Sequence, residues 1–317
     1  MRLRLVRVLV VPALACTSHH VSQGPNPERA VVVGSCRGQQ IATFHDPEKA
    51  NTHYWLAVKR DRGQSPPDSV ALIGDLVGYS QALHEVREIT GADSIGHEAL
   101  EIAMGTRGEL SPQTAWALTV LADYAWQENR LLTAESLATR AQAIDSTLKT
   151  VDDESMLART VLGRALGLQL RYAQGDSAFQ RALDVWREHC DTLAPAFAGA
   201  LTSYAEFLWW RGTSWYDRAD SVVDRARDIL AAGQLDSGVV AFNMKVRAEL
   251  RHERHDDRNA DSLAFGAFAI AVRIFGVHSA RVADYARMAS VTRYARGDSV
   301  TAAQLYALSK GLALPGQ

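Results

Sequence analysis

Residues 134–141 read AESLATRA, with alanine at the first and the last position. Pairs of small residues with the same spacing of seven recur along the chain. They are Ala50 and Ala57, Ala92 and Ala99, Ala134 and Ala141, Gly175 and Ala182, Ala219 and Ala226, Ala260 and Ala267, and Ala302 and Ser309. The first members of successive pairs lie 42, 42, 41, 44, 41 and 42 residues apart. A fixed period of this length indicates an array of structural repeats.

The spacing of seven has a structural reason. Two positions seven apart lie near one stripe of an α-helix, so both can face the same neighbour. Small side chains there let a neighbouring helix approach at the short end of the ~8–10 Å range of interaxial distances. A single helix pair cannot bury its apolar face, so the pairs must stack. The sequence therefore predicts an all-α solenoid of about seven antiparallel helix pairs, covering residues 26–317 as one domain.

Proline, glycine and capping residues indicate where the predicted pairs begin and turn. The first pair joins a helix over residues 26–43 to a second helix that starts at Asp46. The other pairs are predicted at about residues 68–103, 111–144, 154–190, 195–230, 237–275 and 279–312. The turns within the third to seventh pairs are predicted at residues 129–131, near 172, at 212, at 252–259 and at 297–298.

The repeats resemble the tetratricopeptide repeat, in the long form found in kinesin light chains and their many bacterial relatives. The family's Leu-Ala pair on the first helix is matched by Leu121-Ala122, Leu162-Gly163 and Tyr204-Ala205. Its turn glycine is matched by Gly212, and its Gly-x-Tyr turn is partly matched by Leu170-Arg171-Tyr172. Residues 275–279, FGVHS, echo its Leu-Gly-x-x-His-Pro linker. The resemblance implies a right-handed superhelix whose first helices line a concave groove.

The resemblance also implies candidate binding residues in that groove. Transferred one position at a time, the usual groove positions fall on His84, Trp116, Asp123, Trp126, Arg164, Glu206, Trp209, Arg251 and Ser290. Tryptophans are frequent binding anchors, and a groove of this kind suits an extended or helical peptide. Arg164 and Arg251 are expected to pair with carboxylates of the ligand. The alternative is that the tryptophans pack between repeats, because aromatic side chains dominate protein cores.

The function implied by the resemblance is that of a non-catalytic scaffold which binds a protein or peptide partner. The alternative is a cytoplasmic regulatory or sensor module that works with a kinase or a transcription regulator, as long repeats of this kind often do in bacteria. The net charge of −2 gives no electrostatic reason to expect nucleic acid as a partner. The sequence contains no phosphate-binding loop and no Cys-x-x-Cys motif, and no cofactor is expected.

The N-terminus has the anatomy of an export signal. Residues 1–16, MRLRLVRVLVVPALAC, combine a basic start, a short apolar run and a small-x-small cleavage site. Cys16 follows directly and resembles the acylated cysteine of bacterial lipoproteins, although Ala13 stands where leucine is usual. Residues 17–25 are polar and are expected to form a linker. We therefore expect an exported protein, periplasmic or lipid-anchored at Cys16; the alternative is a full-length cytoplasmic chain.

Two other motifs invite catalytic or metal-binding interpretations. His252 and His255 lie three apart among arginines, whereas the metalloprotease motif needs histidines four apart on one helix face, so a solvated turn is expected instead of a metal site. Gly175-Asp176-Ser177 resembles an esterase block. The same Asp-Ser pair recurs in phase at Asp93, Asp220 and Asp261, so we expect it to serve at helix starts, by capping and by interaction with the helix dipole.

The chain contains three cysteines, Cys16, Cys36 and Cys190. Cys36 and Cys190 fall in the first and the fourth predicted pairs, and solenoid repeats touch only their neighbours. A disulfide needs the two Cα atoms within about 7 Å. Cys36 and Cys190 are therefore expected to remain unpaired, as two buried thiols.

Overall fold

The computed structural model describes residues 47–64, 68–233, 238–277 and 279–311, all within one compact unit. In these ranges the chain forms α-helices and a single 3-10 turn, Thr213–Trp215, and no strand. The helices are α1 (Pro47–Arg62), α2 (Ser69–Glu85), α3 (Ile89–Arg107), α4 (Pro112–Gln127), α5 (Leu131–Leu148), α6 (Asp153–Leu168), α7 (Tyr172–His189), α8 (Pro195–Trp210), α9 (Tyr216–Ala232), α10 (Gly238–Glu253), α11 (Asp257–Phe275), α12 (Ala280–Ala295) and α13 (Ser299–Ser309).

Polar caps start several of the first helices of the pairs. The Asp68 carboxylate accepts hydrogen bonds from the first N–H groups of α2, and Ser111 does the same for α4, which has Pro112 at its first position. Asp152 and Ser155 form a reciprocal capping box on α6. These contacts satisfy N–H groups that have no partner inside the helix. The predicted starts of these three pairs are thereby confirmed to within a few residues.

Tight turns join the two helices within each pair. The residue at the turn has a positive φ in all six complete pairs; these residues are Arg87, Asn129, Leu170, Gly212, His255 and Gly297. In the third pair the N–H of Arg130 donates to the carbonyl of Ala125, five residues earlier, and the N–H of Arg171 donates to Leu166 in the same way. This is the Schellman end of a helix, which reverses the chain in very few residues.

The helices stack as consecutive pairs, as predicted. In the part of the chain that the structure describes there are six complete pairs, from α2 with α3 to α12 with α13. Helix α1 is the second helix of the first predicted pair, and its predicted partner, residues 26–43, lies outside the described residues. The predicted signal (residues 1–16), Cys16 and the linker (residues 17–25) also lie outside them. No helix among the described residues is long and apolar enough to span a bilayer.

The recurring small residues lie where the helices pack most closely. Both members of each pair from Ala50 to Ala267 are buried, and so is Ala302. Ala138, midway between Ala134 and Ala141, is also fully buried, whereas the equivalent position in the fourth pair is the large Phe179. The period of about 42 residues thus reflects a packing interface between helices that recurs once in every repeat.

The aspartates of the Asp-Ser pairs do not cap helices, and that prediction is wrong. They lie at the fifth position of the second helices, beyond the first turn, and their carboxylates reach an arginine at or near the turn of the following pair. Together with Glu135, which occupies the same position in α5, they form what we call the turn ladder. Its members are Asp93–Arg130 (2.9 Å), Glu135–Arg171 (2.6 Å), Asp176–Arg211 (3.5 Å), Asp220–Arg254 (2.9 Å) and Asp261–Arg293 (3.1 Å).

The first helices form a closed ring. Each of α2, α4, α6, α8 and α10 contacts the first helix of the next pair, and α12 in turn contacts α2. The last contact joins residues far apart in sequence: Glu85 at the end of α2 accepts a hydrogen bond from the Ser279 hydroxyl, 194 residues later, and forms an ion pair with Arg281. The superhelix therefore curves so strongly that its second and seventh pairs meet.

Cys190 corrects the prediction of unpaired thiols, because it is disulfide-bonded. It lies directly after α7, at the end of the fourth pair. The other two cysteines, Cys16 and Cys36, lie outside the described residues. The prediction assumed that contacts form only between adjacent repeats, and the contact between α2 and α12 shows that this assumption does not hold for the described helices.

Candidate binding groove on the inner face

The first helices present one continuous surface toward the centre of the ring, which we call the inner face. Its central residues come from five successive first helices, α4 to α12. They are Trp126, Arg164, Glu206, Phe242, Lys245 and Asp284. Three of the predicted groove residues, Trp126, Arg164 and Glu206, are thus brought together.

Arg164 is the centre of an aromatic and ionic stack. Its guanidinium lies 3.5 Å from the centroid of the Trp126 ring and 5.5 Å from that of Phe242. Its Nη2 donates to Oε2 of Glu206 at 2.7 Å, and only 14% of its side chain is exposed. A guanidinium can stack on an aromatic ring and pair with a carboxylate at once. The carboxylate that Arg164 pairs with is therefore the chain's own, whereas the sequence predicted one from a ligand.

Lys245 extends the network across the next two helices. Its ammonium donates to Glu206 at 3.0 Å and to Asp284 of α12, and it lies 3.6 Å from Glu249. Burial acts to lower the pKa of Lys245, but the carboxylates of Asp284, Glu206 and Glu249 outweigh it, so the pKa lies well above its ordinary value. Lys245 therefore stays charged and holds α8, α10 and α12 together.

Glu249 is the one carboxyl of this network with a raised pKa. Burial raises the pKa of Glu249 to about 8, against the opposing effect of Lys245. In Glu206 the pKa is lowered, because Lys245 and Arg164 together outweigh the burial that acts to raise it. Two carboxyl groups near one ammonium thus behave oppositely, and Glu249 is largely protonated at neutral pH.

His84 and Asp123 lie beside the contact between α2 and α12. The His84 ring stacks on Tyr124 with centroids 4.3 Å apart, and its Nε2 lies 3.9 Å from Oε1 of Glu128. Burial lowers the pKa of His84, which is only 6% exposed. Asp123 accepts a hydrogen bond from Gln127 at 2.7 Å. His84 therefore faces inward but is almost covered.

The other predicted groove residues lie away from the centre of the inner face. Trp116 packs in the core between α2 and α4, where its ring lies against Gly74. Trp209 is half-buried against the aromatic core around α8. Arg251 lies 3.8 Å from Asp220 on α9, and Ser290 is buried, with its hydroxyl donating to Ala302. For Trp116 and Trp209 this matches the alternative of packing between repeats.

Two donors on the inner face are unsatisfied. Among the described residues, Nε1 of Trp126 and Nε of Arg164 are buried and donate to no other group of the chain. A buried donor without an acceptor costs roughly 1–3 kcal/mol, so these groups favour any state in which an acceptor reaches them. The two donors belong to residues that stack on each other, and a single polar segment could satisfy both.

Sequence reasoning missed Phe242, Lys245 and Asp284. A signal was present for two of them: Phe242 and Asp284 occupy the fifth position of their helices, as Trp116 does in α4. Lys245 comes 39 residues after Glu206, and this distance is close to one repeat. Aligning the first helices from their starts would have grouped the first two residues with the predicted groove residue Trp116, although Trp116 itself packs in the core.

Comparisons with known proteins support the fold. No protein-family model and no curated protein matches the chain. Among solved structures, the apo form of RapI is similar with a TM-score of 0.57 and 11% identity, covering 82% of this chain and 96% of RapI. A Rap protein complexed with Competence and Sporulation Factor has a TM-score of 0.54 and 10% identity, covering 82% of both chains.

Kinesin-light-chain repeats are also among the similar structures. The TPR-like repeats of a Podosopora anserina kinesin light chain align with a TM-score of 0.47 and 13% identity, covering 59% of this chain and 88% of the other. The fold assignment rests on the paired helices and on the two Rap structures. The protein described here is a tetratricopeptide-like helical solenoid.

Proposed function

We propose that the protein is a non-catalytic scaffold that binds a segment of a protein or peptide partner on its inner face. The observation that carries the proposal is the pair of unsatisfied donors, Nε1 of Trp126 and Nε of Arg164, on a surface that also presents the Phe242 ring. A peptide backbone supplies carbonyl acceptors at short intervals, and its side chains can contact the aromatic rings. A peptide segment therefore offers the groups that this surface can bind, namely carbonyl acceptors and apolar side chains.

The ion pairs of the inner face limit which kinds of partner can bind there. Arg164 and Lys245 already have carboxylate partners in Glu206 and Asp284. A partner that offers only charge would have to displace these partners and leave buried charges unpaired. The proposal therefore favours an uncharged, partly apolar segment bound through its backbone. The Rap protein complexed with Competence and Sporulation Factor supports the proposal by showing that a solenoid of this fold can hold a partner.

A peptide library provides the test. Phage-displayed random 12-residue peptides are selected on the wild-type protein, and the affinities of the enriched peptides are measured by titration calorimetry. We expect Phe242→Ala to weaken binding about tenfold or more, because truncation of an aromatic anchor at the centre of an interface has an effect of this size. Circular dichroism and thermal melting would show that the variant is still folded.

The matched control is Phe265→Ala. Phe265 lies on the outer helix α11, is 40% exposed, and has Arg293 over its ring at 4.8 Å, so it resembles Phe242 in type and in its cationic neighbour. We expect it to leave peptide binding unchanged. Peptides whose affinity depends on Phe265 and not on Phe242 would place the binding site on the outer surface and contradict the proposal.

We propose in addition that the protein is exported. The basic, apolar and small-x-small segments of residues 1–16 support this, as does the disulfide at Cys190, because disulfides persist mainly in oxidising compartments. Intact-mass measurement on protein from the native host tests it. We expect loss of residues 1–15 and an acyl modification on Cys16. An unmodified full-length chain would overturn the proposal and favour the cytoplasmic alternative.

A further inference from the structure

We propose that the contact between Glu85, Ser279 and Arg281 is a clasp that closes the ring of first helices, and that a partner segment reaches the inner face only when this clasp opens. The inference rests on the proposed function of the inner face and concerns its regulation. Glu85 ends α2, whereas Ser279 caps α12 and Arg281 lies in its first turn. These three residues belong to helix pairs that are not neighbours in the stack.

The clasp is the place where the ring is weakest. At every other contact between two first helices, a second helix packs against both of them. Helix α7, for example, contacts both α6 and α8. Among the described helices, no second helix packs against both α2 and α12, and the contact between these two is the least extensive of those that join first helices. The ion pair that holds this contact is half-buried, since 46% of the Arg281 side chain but only 16% of the Glu85 side chain is exposed. The ring is therefore expected to open here first.

Closure restricts access to the inner face. An internal segment of a folded partner cannot thread through a closed ring, and the donors of Trp126 and Arg164 are buried in the closed state. Opening α12 away from α2 provides a side entrance. Asp284 and Lys245 move with this opening, because their ion pair joins α12 to α10. Binding at the inner face and opening of the clasp are thus mechanically linked.

The charges around the clasp predict how it responds to substitution. Arg281 faces Glu85 and Asp123, which both favour the guanidinium, and Tyr285 lies beside it on its own helix. Burial lowers the pKa of His84, which is also next to Glu85, against the opposing effect of the Glu85, Asp123 and Glu128 carboxylates. Replacing Glu85 with a cation therefore places two like charges in contact, whereas exchanging both charges restores an attractive pair.

The first arm of the test measures the ring without any partner. Spin labels at Glu88→Cys, three residues after the end of α2, and at Val291→Cys on α12 report the separation of these two parts of the ring by double electron–electron resonance. We expect a single short distance in the parent protein, a longer or broader distribution in Glu85→Arg and in Arg281→Glu, and return of the short distance in the double exchange. An unchanged distance in both single variants would overturn the clasp, whatever the inner face binds.

The second arm measures entry of a peptide. The probe is a peptide selected on the wild-type protein from the random 12-residue library and placed between two folded domains, so that it has no free end to thread into the ring. Association is followed by stopped-flow fluorescence. We expect association at least about threefold faster with Glu85→Arg, because a larger fraction of molecules is open, and wild-type rates with the double exchange. A longer distance without faster association would overturn the gating role.

A covalent cross-link that keeps the clasp closed gives the opposite perturbation. Cysteines at Glu85→Cys and Arg281→Cys, joined by a short bismaleimide, should abolish association, and wild-type protein treated with the same reagent controls for the native cysteines. Undiminished binding to the locked ring would overturn the proposal. If neither the wild type nor Glu85→Arg captures any library peptide although the distance changes, the proposed function fails and the gating role fails with it, while the clasp itself stands.

Discussion

Two series of ion pairs run along this solenoid, each linking successive repeats, and they differ in what surrounds them. The turn ladder lies at the ends of the helices, where both partners of a pair such as Asp93–Arg130 keep about a third of their side-chain surface exposed. The inner-face network around Lys245 and Glu206 is nearly covered. The repeat sets the spacing of both series, but the burial of each ion pair decides how much it contributes to stability.

How often a sequence pattern repeats therefore does not indicate how much it contributes to the stability of the fold. The turn ladder recurs in five consecutive pairs, yet ion pairs as exposed as those of Asp93, Glu135 and Asp220 are worth only about 0–1 kcal/mol each. The inner-face network occurs once. Lys245, Glu206 and Arg164 are almost completely covered, so removing one of these charges leaves the others uncompensated.

The largest expected effect is that of Lys245→Ala. It leaves Glu206 and Asp284 without the ammonium that they share, and loss of a buried partner typically costs about 3–5 kcal/mol. Urea unfolding at pH 7, followed by circular dichroism, measures the change. A loss below about 1 kcal/mol would show that water reaches this network as freely as it reaches the turn ladder.

Glu249→Gln is expected to have an intermediate effect that depends on pH. Because the pKa of folded Glu249 is about 8, above its ordinary value of 4.5, the folded state holds a proton that the unfolded state releases between these two values. Stability from this group is therefore full below pH 4.5 and falls as the pH rises toward 8. In the wild type, the free energy of unfolding should fall by at most about 1.4 kcal/mol per pH unit in this range, and in the variant this fall should be absent.

Urea midpoints measured from pH 4 to pH 9 for both proteins would show this difference. Glu253→Gln, at the exposed end of the same helix, is the matched control and should keep the wild-type profile. Parallel profiles of wild type and Glu249→Gln would mean that Glu249 is ionised in the folded protein.

The smallest expected effect is that of Asp93→Ala in the turn ladder. Its carboxylate accepts two hydrogen bonds from Arg130, at 2.9 and 3.0 Å, but both side chains are partly exposed. We expect a loss of about 0–1 kcal/mol that shrinks further at high salt. A double-mutant cycle with Arg130→Ala isolates the pair. A coupling energy as large as the loss in Lys245→Ala would remove the distinction between the two series.

The fold was predictable because it depends on local patterns. Small residues such as Ala134 and Ala141 record the helix contacts, and caps such as Asp152 record the helix starts, so both can be found without knowledge of the distant chain. The closure between Glu85 and Arg281 could not be found in this way. It depends on the summed rotation of five successive pairs, and no residue or motif in the sequence specifies that sum.

The candidate site was predictable only in position. Transfer of groove positions correctly grouped Trp126, Arg164 and Glu206, which lie on three successive first helices. It could not show that Arg164 and Glu206 satisfy each other, because a pattern of positions does not say whether a charge meets a ligand or a neighbour. The aspartates of the Asp-Ser pairs were misassigned for the same reason: their partners lie one repeat further along the chain.

Closure of the ring also changes how this solenoid is expected to unfold. In an open array the terminal repeats fray independently, and stability is nearly a sum of local terms. Here the last pair is tied by Ser279 and Arg281 to Glu85, near the start of the described helices. While this contact is closed, loss of either end releases the other, so we expect the two terminal pairs to melt together in the wild-type protein and separately in Glu85→Arg, in which the contact is broken.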